Sequence, residues 1–230
     1  SSDRVICNAD TPAVYDELLS AQPKRRKKAI PDKLTRYSMG LYVLFFGTRK
    51  KYDSIAHHTI WMGKRYRTLL ADIFNSKILA DDFSLYLHRP TATDPTFAPD
   101  GCDSFYVLCP VPNLQGNVNW DVQGPALQER IITALNRTIM PGLKETISDA
   151  FWMSPREFKS NYRAKHGAGF SIAPIFAQSA WFRYHNQDPH IDNLFFTGAG
   201  THPGAGMPGV LSSAKVVENL ITNMPEKQAP

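Results

Sequence analysis

Short apolar runs alternate along the chain with segments in which apolar residues return every three or four positions. Val5-Ile6-Cys7 reads as a short buried strand. Asn8-Ala9-Asp10-Thr11-Pro12 then turns the chain into a helix through Leu19, with Asp10 or Thr11 as cap and Pro12 in the first turn. Ser38 to Phe46, His57 to Met62, Phe83 to His88 and Ser104 to Val111 have the aromatic and aliphatic content of strands, and their spacing predicts an antiparallel sheet. Tyr66 to Phe74 reads as a short helix. Pro125 to Ile139 reads as a longer one, with Leu127, Ile131, Leu135 and Ile139 along one face. Ser154-Pro155-Arg156-Glu157 has capping-box spacing and starts another helix. Leu194 to Thr197 returns to strand and Pro208 to Ile221 to helix, whose expected buried stripe is Val210, Ala214, Val217 and Ile221. The fold class expected is mixed, α/β with an α+β component.

Composition narrows the function classes. With 230 residues and 43% hydrophobic content the chain can bury a sizeable core. The excess of Lys and Arg over Asp and Glu, 26 against 21, comes from one run, Lys24-Arg25-Arg26-Lys27-Lys28. The surface is therefore not broadly basic, and no nucleic-acid partner is expected. Cys7, Cys102 and Cys109 form no CxxC pair, and their odd number argues against a disulfide framework, so a reducing compartment is expected. No uncharged apolar run reaches the roughly 20 residues of a spanning helix. The chain enters its first apolar run without initiator Met, signal peptide or capping segment, and reads as starting inside a longer polypeptide.

The most informative stretch is Phe195 to Ala214, FFTGAGTHPGAGMPGVLSSA, with four glycines inside nine residues between a strand and a helix. Pro208 suits a first helical turn, and Gly204, Gly206 and Gly209 remove side chains where unpaired backbone N–H groups would point outward. Such amides, aided by the positive end of the helix dipole, can bind an anionic or electron-rich ligand. The loop is not a Rossmann fingerprint. Started at Gly198 and Gly200, GxGxxG fails at Pro203; the register Gly204, Gly206, Gly209 matches the letters, but no strand immediately precedes it and no second strand follows. From spacing alone, close helix–sheet packing accounts for the glycines as well as a ligand does.

NLFFTGAGTHPGAGMPGVLSSAK, Asn193 to Lys215, resembles the C-terminal flavin signature of the bacterial-type phytoene desaturases, within the wider amine-oxidase-like flavoprotein superfamily. NAD at Asn8 to Asp10, AHHTIW at Ala56 to Trp61, DDFSLYLHRP at Asp81 to Pro90, YVLCPVPNL at Tyr106 to Leu114, MPGL at Met140 to Leu143 and QSAWFRYHNQD at Gln178 to Asp188 follow that family's order. The resemblance implies part of a Rossmann-type FAD domain joined to a substrate domain with a mixed or antiparallel sheet and helices. Residues 1–36 would return into the FAD domain, 37–165 form the substrate domain, and 166–230 close the FAD domain. It implies FAD as cofactor, held by Asn8, Gly198, Ala199, Gly200, Thr201, His202, Gly204, Gly206, Met207, Pro208, Gly209 and Val210. The implied reaction is desaturation of phytoene toward lycopene, with the N-terminal GxGxxG half lying outside this sequence. A non-redox carotenoid- or lipid-binding module, or another polyene-acting flavin oxidoreductase such as a carotenoid saturase or oxidase, remains open.

The remaining chemistry-bearing residues give less. No catalytic acid or base is assigned, because a hydrocarbon offers nothing to clamp and calls for an apolar tunnel. Phe170, Phe176, Trp181 and Phe182 suit such a tunnel or the core, and the core is favoured. His202 either orients the cofactor or is an ordinary loop histidine. His57 and His58 are adjacent on an expected strand, so their rings should point to opposite faces; His185 and His190 have no nearby ligand set, and no metal is expected. Lys24 to Lys28 is read either as a solvated loop or as a contact with an anionic bilayer. With a lipid-soluble substrate implied, peripheral association with the cytoplasmic face of a membrane is expected.

Overall fold

In the computed structural model residues 2–19 and 34–224 are described. The run Lys24 to Lys28 lies outside the described residues. In chain order the strands are β1 (Val5–Cys7), β2 (Gly40–Thr48), β3 (His58–Trp61), β4 (Leu85–His88), β5 (Asp103–Val111), β6 (Ile147–Met153) and β7 (Leu194–Phe196). The helices are α1 (Thr11–Ala13), α2 (Tyr66–Ala71), α3 (Trp120–Thr138), α4 (Leu143–Thr146), α5 (Pro155–Tyr162) and α6 (Met207–Thr222). π-helical turns, Val14–Leu18 and Asp72–Ser76, continue α1 and α2. The chain divides into two compact units, Ser1–Ser38 with Lys159–Pro230, and Met39–Phe158. No helix among the described residues is long and apolar enough to cross a membrane.

The Met39–Phe158 unit is built on a five-stranded antiparallel sheet in the order β3-β4-β5-β2-β6. β5 alternates buried and half-buried residues along its whole length, as a strand with one face on a core must. Phe105, Val107, Cys109 and Val111 join Tyr42, Leu44 and Phe46 on that inner face, and α3 covers it with the fully buried Leu127, Ile131 and Leu135. Each such side chain contributes about 1.5–3 kcal/mol by leaving water. Burial pushes the Cys109 thiol up to about 12, and all three cysteines are free.

Three departures from the sequence expectation have physical causes. Helix α3 begins at Trp120, five residues before Pro125, because the Asn119 side chain caps it by accepting from the Asp121 amide at 3.1 Å. Strand β6 went unread: Ile-Ser-Asp-Ala-Phe-Trp-Met lacks clean alternation, as an edge strand can, and it is defined by pairing with β2. In α6 the buried line runs through Ser213 and Val217, with Val210 and Ile221 half-buried and Ala214 exposed. Ser213 faces inward because its hydroxyl accepts the Gly198 amide at 2.9 Å, which turns Ala214 outward.

The smaller sheet is a parallel pair, with Val5, Ile6 and Cys7 opposite Leu194, Phe195 and Phe196. Beside it, Val14, Tyr15, Tyr37, Ile172, Tyr184, Leu194 and Phe196 form a second core. Tyr15 stacks on Tyr184 and donates to the Asp188 carboxylate at 2.6 Å, while the other Asp188 oxygen accepts from the amides of His190 and Ile191.

Helix α5 starts with the capping box expected. The Ser154 amide and hydroxyl both donate to Glu157 Oε2, at 2.7 and 2.6 Å, and the Arg156 amide donates to Ser154 Oγ at 3.2 Å. Partial burial alone would raise the Glu157 carboxyl, but the two bonds from Ser154 hold it below the ordinary value of 4.5. A depressed carboxylate adds stability that is complete above 4.5 and is lost as pH falls through its folded value. Ser154→Ala should therefore lower unfolding free energy by about 1–2 kcal/mol near neutrality. The deficit should shrink when urea titrations are repeated in acid; an equal loss at both pH values would show that the box does not act through the ionised Glu157.

Candidate functional site: a glycine loop at the head of the last helix

β7 delivers the chain to the loop at a fixed height, because its pairing with β1 continues one step further. The Thr197 amide donates to the Cys7 carbonyl at 3.0 Å, and Asn8 Nδ2 donates to Thr197 Oγ1 at 3.0 Å. Asn8 is thus an exposed side chain at the tip of the first strand, beside the entry to the loop. Gly198, Gly204 and Gly206 have φ of +112°, +139° and +98°, a region that side chains with a Cβ rarely enter.

The glycines divide into two kinds. A Cβ on Gly200 would lie 3.0 Å from both Thr11 Oγ1 and Ser171 Oγ, and one on Gly209 would lie 2.6 Å from the Gly204 carbonyl oxygen. These two permit close packing within the protein: the missing Cβ of Gly209 makes room for the Gly204 carbonyl, while its amide remains at the head of the helix. Gly206, in contrast, has open space where a Cβ would sit. It is also the N-cap of α6 and supplies no side-chain cap. The Val210 amide donates to Gly206 O at 2.9 Å, which leaves the amides of Met207 and Gly209 at the helix head without intrahelical acceptors, while Pro208 has none to satisfy. Met207 and Pro208 are exposed and Val210 is half-buried.

Behind that opening the loop is held rigidly. Thr201 is fully buried, and its hydroxyl donates to Gly198 O at 3.1 Å. The His202 amide donates to Tyr184 O at 2.8 Å and its carbonyl accepts from Asn186 Nδ2 at 2.9 Å; its Nδ1 is buried with no partner among the described residues. A cavity of about 760 Å³, lined by Tyr15, Trp181, Tyr184 and His185 among others, borders His202. Ala199 O accepts from Arg183 Nε at 2.8 Å.

Arg183 is the residue that spacing did not reveal. Its guanidinium is buried and donates to the carbonyls of Ala199, Gln178, Phe170 and Ile172 at 2.8, 2.9, 3.1 and 2.9 Å. Desolvation lowers its pKa to about 10, opposed by the nearby Asp10 carboxylate, so it stays charged at neutral pH. Spacing did not reveal Ser213 or Asn186 for the same reason: each acts through backbone partners distant in sequence. The signal available was an arginine and an asparagine set among aromatics in QSAWFRYHNQD. Of the aromatics favoured as core, Phe176, Trp181 and Phe182 are exposed and Phe170 is half-buried, so that expectation fails. Short helical turns at Phe176–Gln178 and Ala180–Phe182 direct them outward.

A parallel strand pair, a glycine loop and an uncapped helix head in one unit, with an antiparallel sheet in the other, fit the mixed α/β architecture of an amine-oxidase-like flavoprotein. The chain belongs to the flavin containing amine oxidoreductase family, whose model matches residues 1–217. It is 47% identical over 94% of its length to a lycopene-forming phytoene desaturase of Pantoea ananas, of which it covers 44%. It is also 47% identical over 96% of its length to a lycopene-forming phytoene desaturase of Pseudescherichia vulneris, covering 45% of that protein. With a neurosporene-forming phytoene desaturase of Rhodobacter capsulatus it shares 41% identity over 98% of its length and covers 44% of that chain. The chain thus spans slightly under half the length of the curated relatives it matches.

Arg183→Lys keeps the charge but cannot reach four carbonyls arranged around a planar fork. It should cost about 2–4 kcal/mol of unfolding free energy, read from denaturant midpoints. A variant as stable as the parent would remove Arg183 as the organiser of the loop.

Proposed function

We propose that this chain forms the C-terminal half of an FAD-dependent oxidoreductase that desaturates phytoene toward lycopene. The observation that carries the reading is the head of α6, where Gly206 leaves space and the amides of Met207 and Gly209 lack helical acceptors. The residues present fit a flavin: three positive-φ glycines let backbone follow an extended cofactor closely, and His202 Nδ1 is a buried donor or acceptor with no protein partner described. Asn8, Gly198, Ala199, Gly200, Thr201, His202, Gly204, Gly206, Met207, Pro208, Gly209 and Val210 would hold it, with Gly200, Thr201 and Gly209 shaping the loop and the others facing the group. When bound, FAD supplies the acceptor for the hydride equivalent removed from the substrate. The N-terminal dipole of the 16-residue α6 favours negative charge at that edge.

Two further features support the reading. β1 pairs with β7 alone among the described residues, and Val5 and Ile6 are exposed, whereas parallel sheets are ordinarily covered on both faces. Additional strands from the remainder of a longer FAD domain would cover them. A hydrocarbon also needs apolar surface without charge, and the outer face of the five-stranded sheet offers Phe45, Ile60, Leu108 and Phe151 while Phe176, Trp181 and Phe182 offer it in the other unit. The residues 37–165 would then be the substrate domain, and 1–36 with 166–230 the FAD domain.

Gly206→Val tests the reading at one atom. The added Cβ meets nothing within 4 Å but sits at a φ that β-branched residues avoid, so the fold should survive while the loop path shifts. In the full-length protein, bound flavin and conversion of phytoene should fall together, by at least about tenfold. A colourless parent protein, or a parent that binds polyene and leaves it unchanged, would replace the proposal with a binding module; a product with fewer double bonds would point to a saturase.

Peripheral association with the cytoplasmic face of a membrane belongs to the same proposal, since the substrate dissolves in lipid. Lys24 to Lys28 would contribute up to about 1 kcal/mol per cation near an anionic surface. Replacing the five cations by Gln should weaken binding to anionic liposomes and flatten its salt dependence; unchanged binding would exclude the run from that role.

A further inference from the structure

The sequence expectation that His57 and His58 point to opposite faces fails, because alternation applies only inside a strand. His57 precedes β3, in a bend whose carbonyl accepts the Arg89 amide at 2.9 Å. His58 is the first residue of β3 and pairs with His88 of β4, and His88 pairs in turn with Tyr106 of β5. The bend swings the His57 ring back over the other two, with ring centroids 4.4 Å from His58 and 4.6 Å from His88. One ring nitrogen from each of the three lies within 4.8 Å of the others.

The orientation of the rings is as informative as their proximity. His57 Nδ1 is bonded to Thr93 Oγ1, and His58 Nδ1 to the Tyr86 hydroxyl at 2.7 Å. In two of the rings, then, a hydroxyl holds Nδ1, so that Nε2 is the nitrogen left for a ligand, in His57 by exchange of its bond to His88; outer partners impose the same arrangement on metal-bound histidines. His57 Nε2 and His88 Nε2 face each other at 2.8 Å. Zn–N bonds of about 2.0–2.1 Å at tetrahedral angles separate ligating nitrogens by about 3.3 Å. That spacing lies between the 2.8 Å pair and the 4.8 Å limit, so modest ring rotation suffices.

The scaffold is fixed by a buried ion pair. Arg89 Nε donates to Asp103 Oδ2 at 2.9 Å, its terminal nitrogens reach Ile55 O and Asp53 Oδ1 at 3.0 Å each, and Asp103 also accepts from the Tyr52 amide and the Thr91 hydroxyl. These bonds pin both the segment leading to His57 and the turn that carries Thr93.

We propose that His57, His58 and His88 form a three-imidazole site for a divalent transition cation, Zn²⁺ foremost, bound through the Nε2 atoms at the outer edge of the antiparallel sheet. An all-nitrogen set suits Zn²⁺, Cu²⁺ or Ni²⁺ and not Mg²⁺ or Ca²⁺, which take oxygen ligands. Three protein ligands leave the fourth tetrahedral position to water. The ion would clip the bend before β3 to β4. This site is independent of the flavin loop and stands or falls without it.

The test uses the full-length protein, freed of metal by dialysis against chelator and titrated with Zn²⁺ in competition with a chromophoric chelator. Co²⁺ serves as a second probe because its visible absorption reports coordination. One equivalent per chain is expected, with the Co²⁺ spectrum of a tetrahedral nitrogen site. His57→Gln, His88→Gln and the exposed His58→Gln should each weaken binding by more than about tenfold, and Tyr86→Phe, which removes only an outer partner, by about tenfold. His190→Gln, which is not a member of the cluster, should bind as the parent does. Thermal denaturation of the metal-free proteins identifies any variant that fails to fold, and in that event His58→Gln decides. Absence of a stoichiometric ion, or parent-like affinity in His58→Gln, would overturn the proposal and leave an N–H···N hydrogen bond between His57 and His88.

Discussion

The loop region rests on one buried charge. Arg183 ties carbonyls from three separate stretches, Phe170 with Ile172, Gln178, and Ala199, to a single planar group. Burying a guanidinium costs several kcal/mol unless it is hydrogen-bonded, and here the cost is offset by four neutral acceptors with one carboxylate in the vicinity. That carboxylate, Asp10, is itself raised by burial, against bonds from the Ser171 hydroxyl and the Lys165 amide and the pull of Arg183. Local stiffness follows. The loop can leave backbone amides exposed at the head of α6 because the carbonyls behind them are spoken for.

The antiparallel unit uses the same device for a different end. Arg89 and Asp103 are both buried, and between them they bond to Ile55, Tyr52, Asp53 and Thr91. A pair of charges inside a sheet edge adds little net stability but specifies one arrangement of the loops it touches. One of those loops brings His57 over His58 and His88, which strand register has already set side by side. In both units, then, a buried arginine positions polar chemistry at a place where a regular element ends, which is where backbone is free to turn and side chains to converge.

The core was largely legible in the sequence because its signal is local. Leu127, Ile131 and Leu135 recur at helical spacing, β5 alternates, and Ser154 with Glu157 marks a helix start; each pattern involves residues within one element, and the structure places them accordingly. β6 carried no clear periodic signal and the start of α3 was placed too late, because the deciding fact was a pairing with β2 or a side-chain cap, not the periodicity of the segment. The glycine loop stood out by composition, yet which glycines serve packing and which leave space depended on Thr11 and Ser171 approaching from elsewhere and on the loop folding Gly204 against Gly209.

The sequence by itself determined the periodic elements, the mixed fold class and the strand–glycine–helix order of the loop, because these follow from hydrophobic spacing and from what residues without a Cβ permit. Tertiary structure alone decided that Ser213 faces inward, that Phe176 and Trp181 face solvent, that Arg183 is a hub and that His57 leans over His58 and His88. The physical reason is the range of the interactions. Periodicity is read between neighbours, whereas a hydrogen bond such as that from Gly198 to Ser213, or a strand register that sets His58 beside His88, is settled only when distant segments meet.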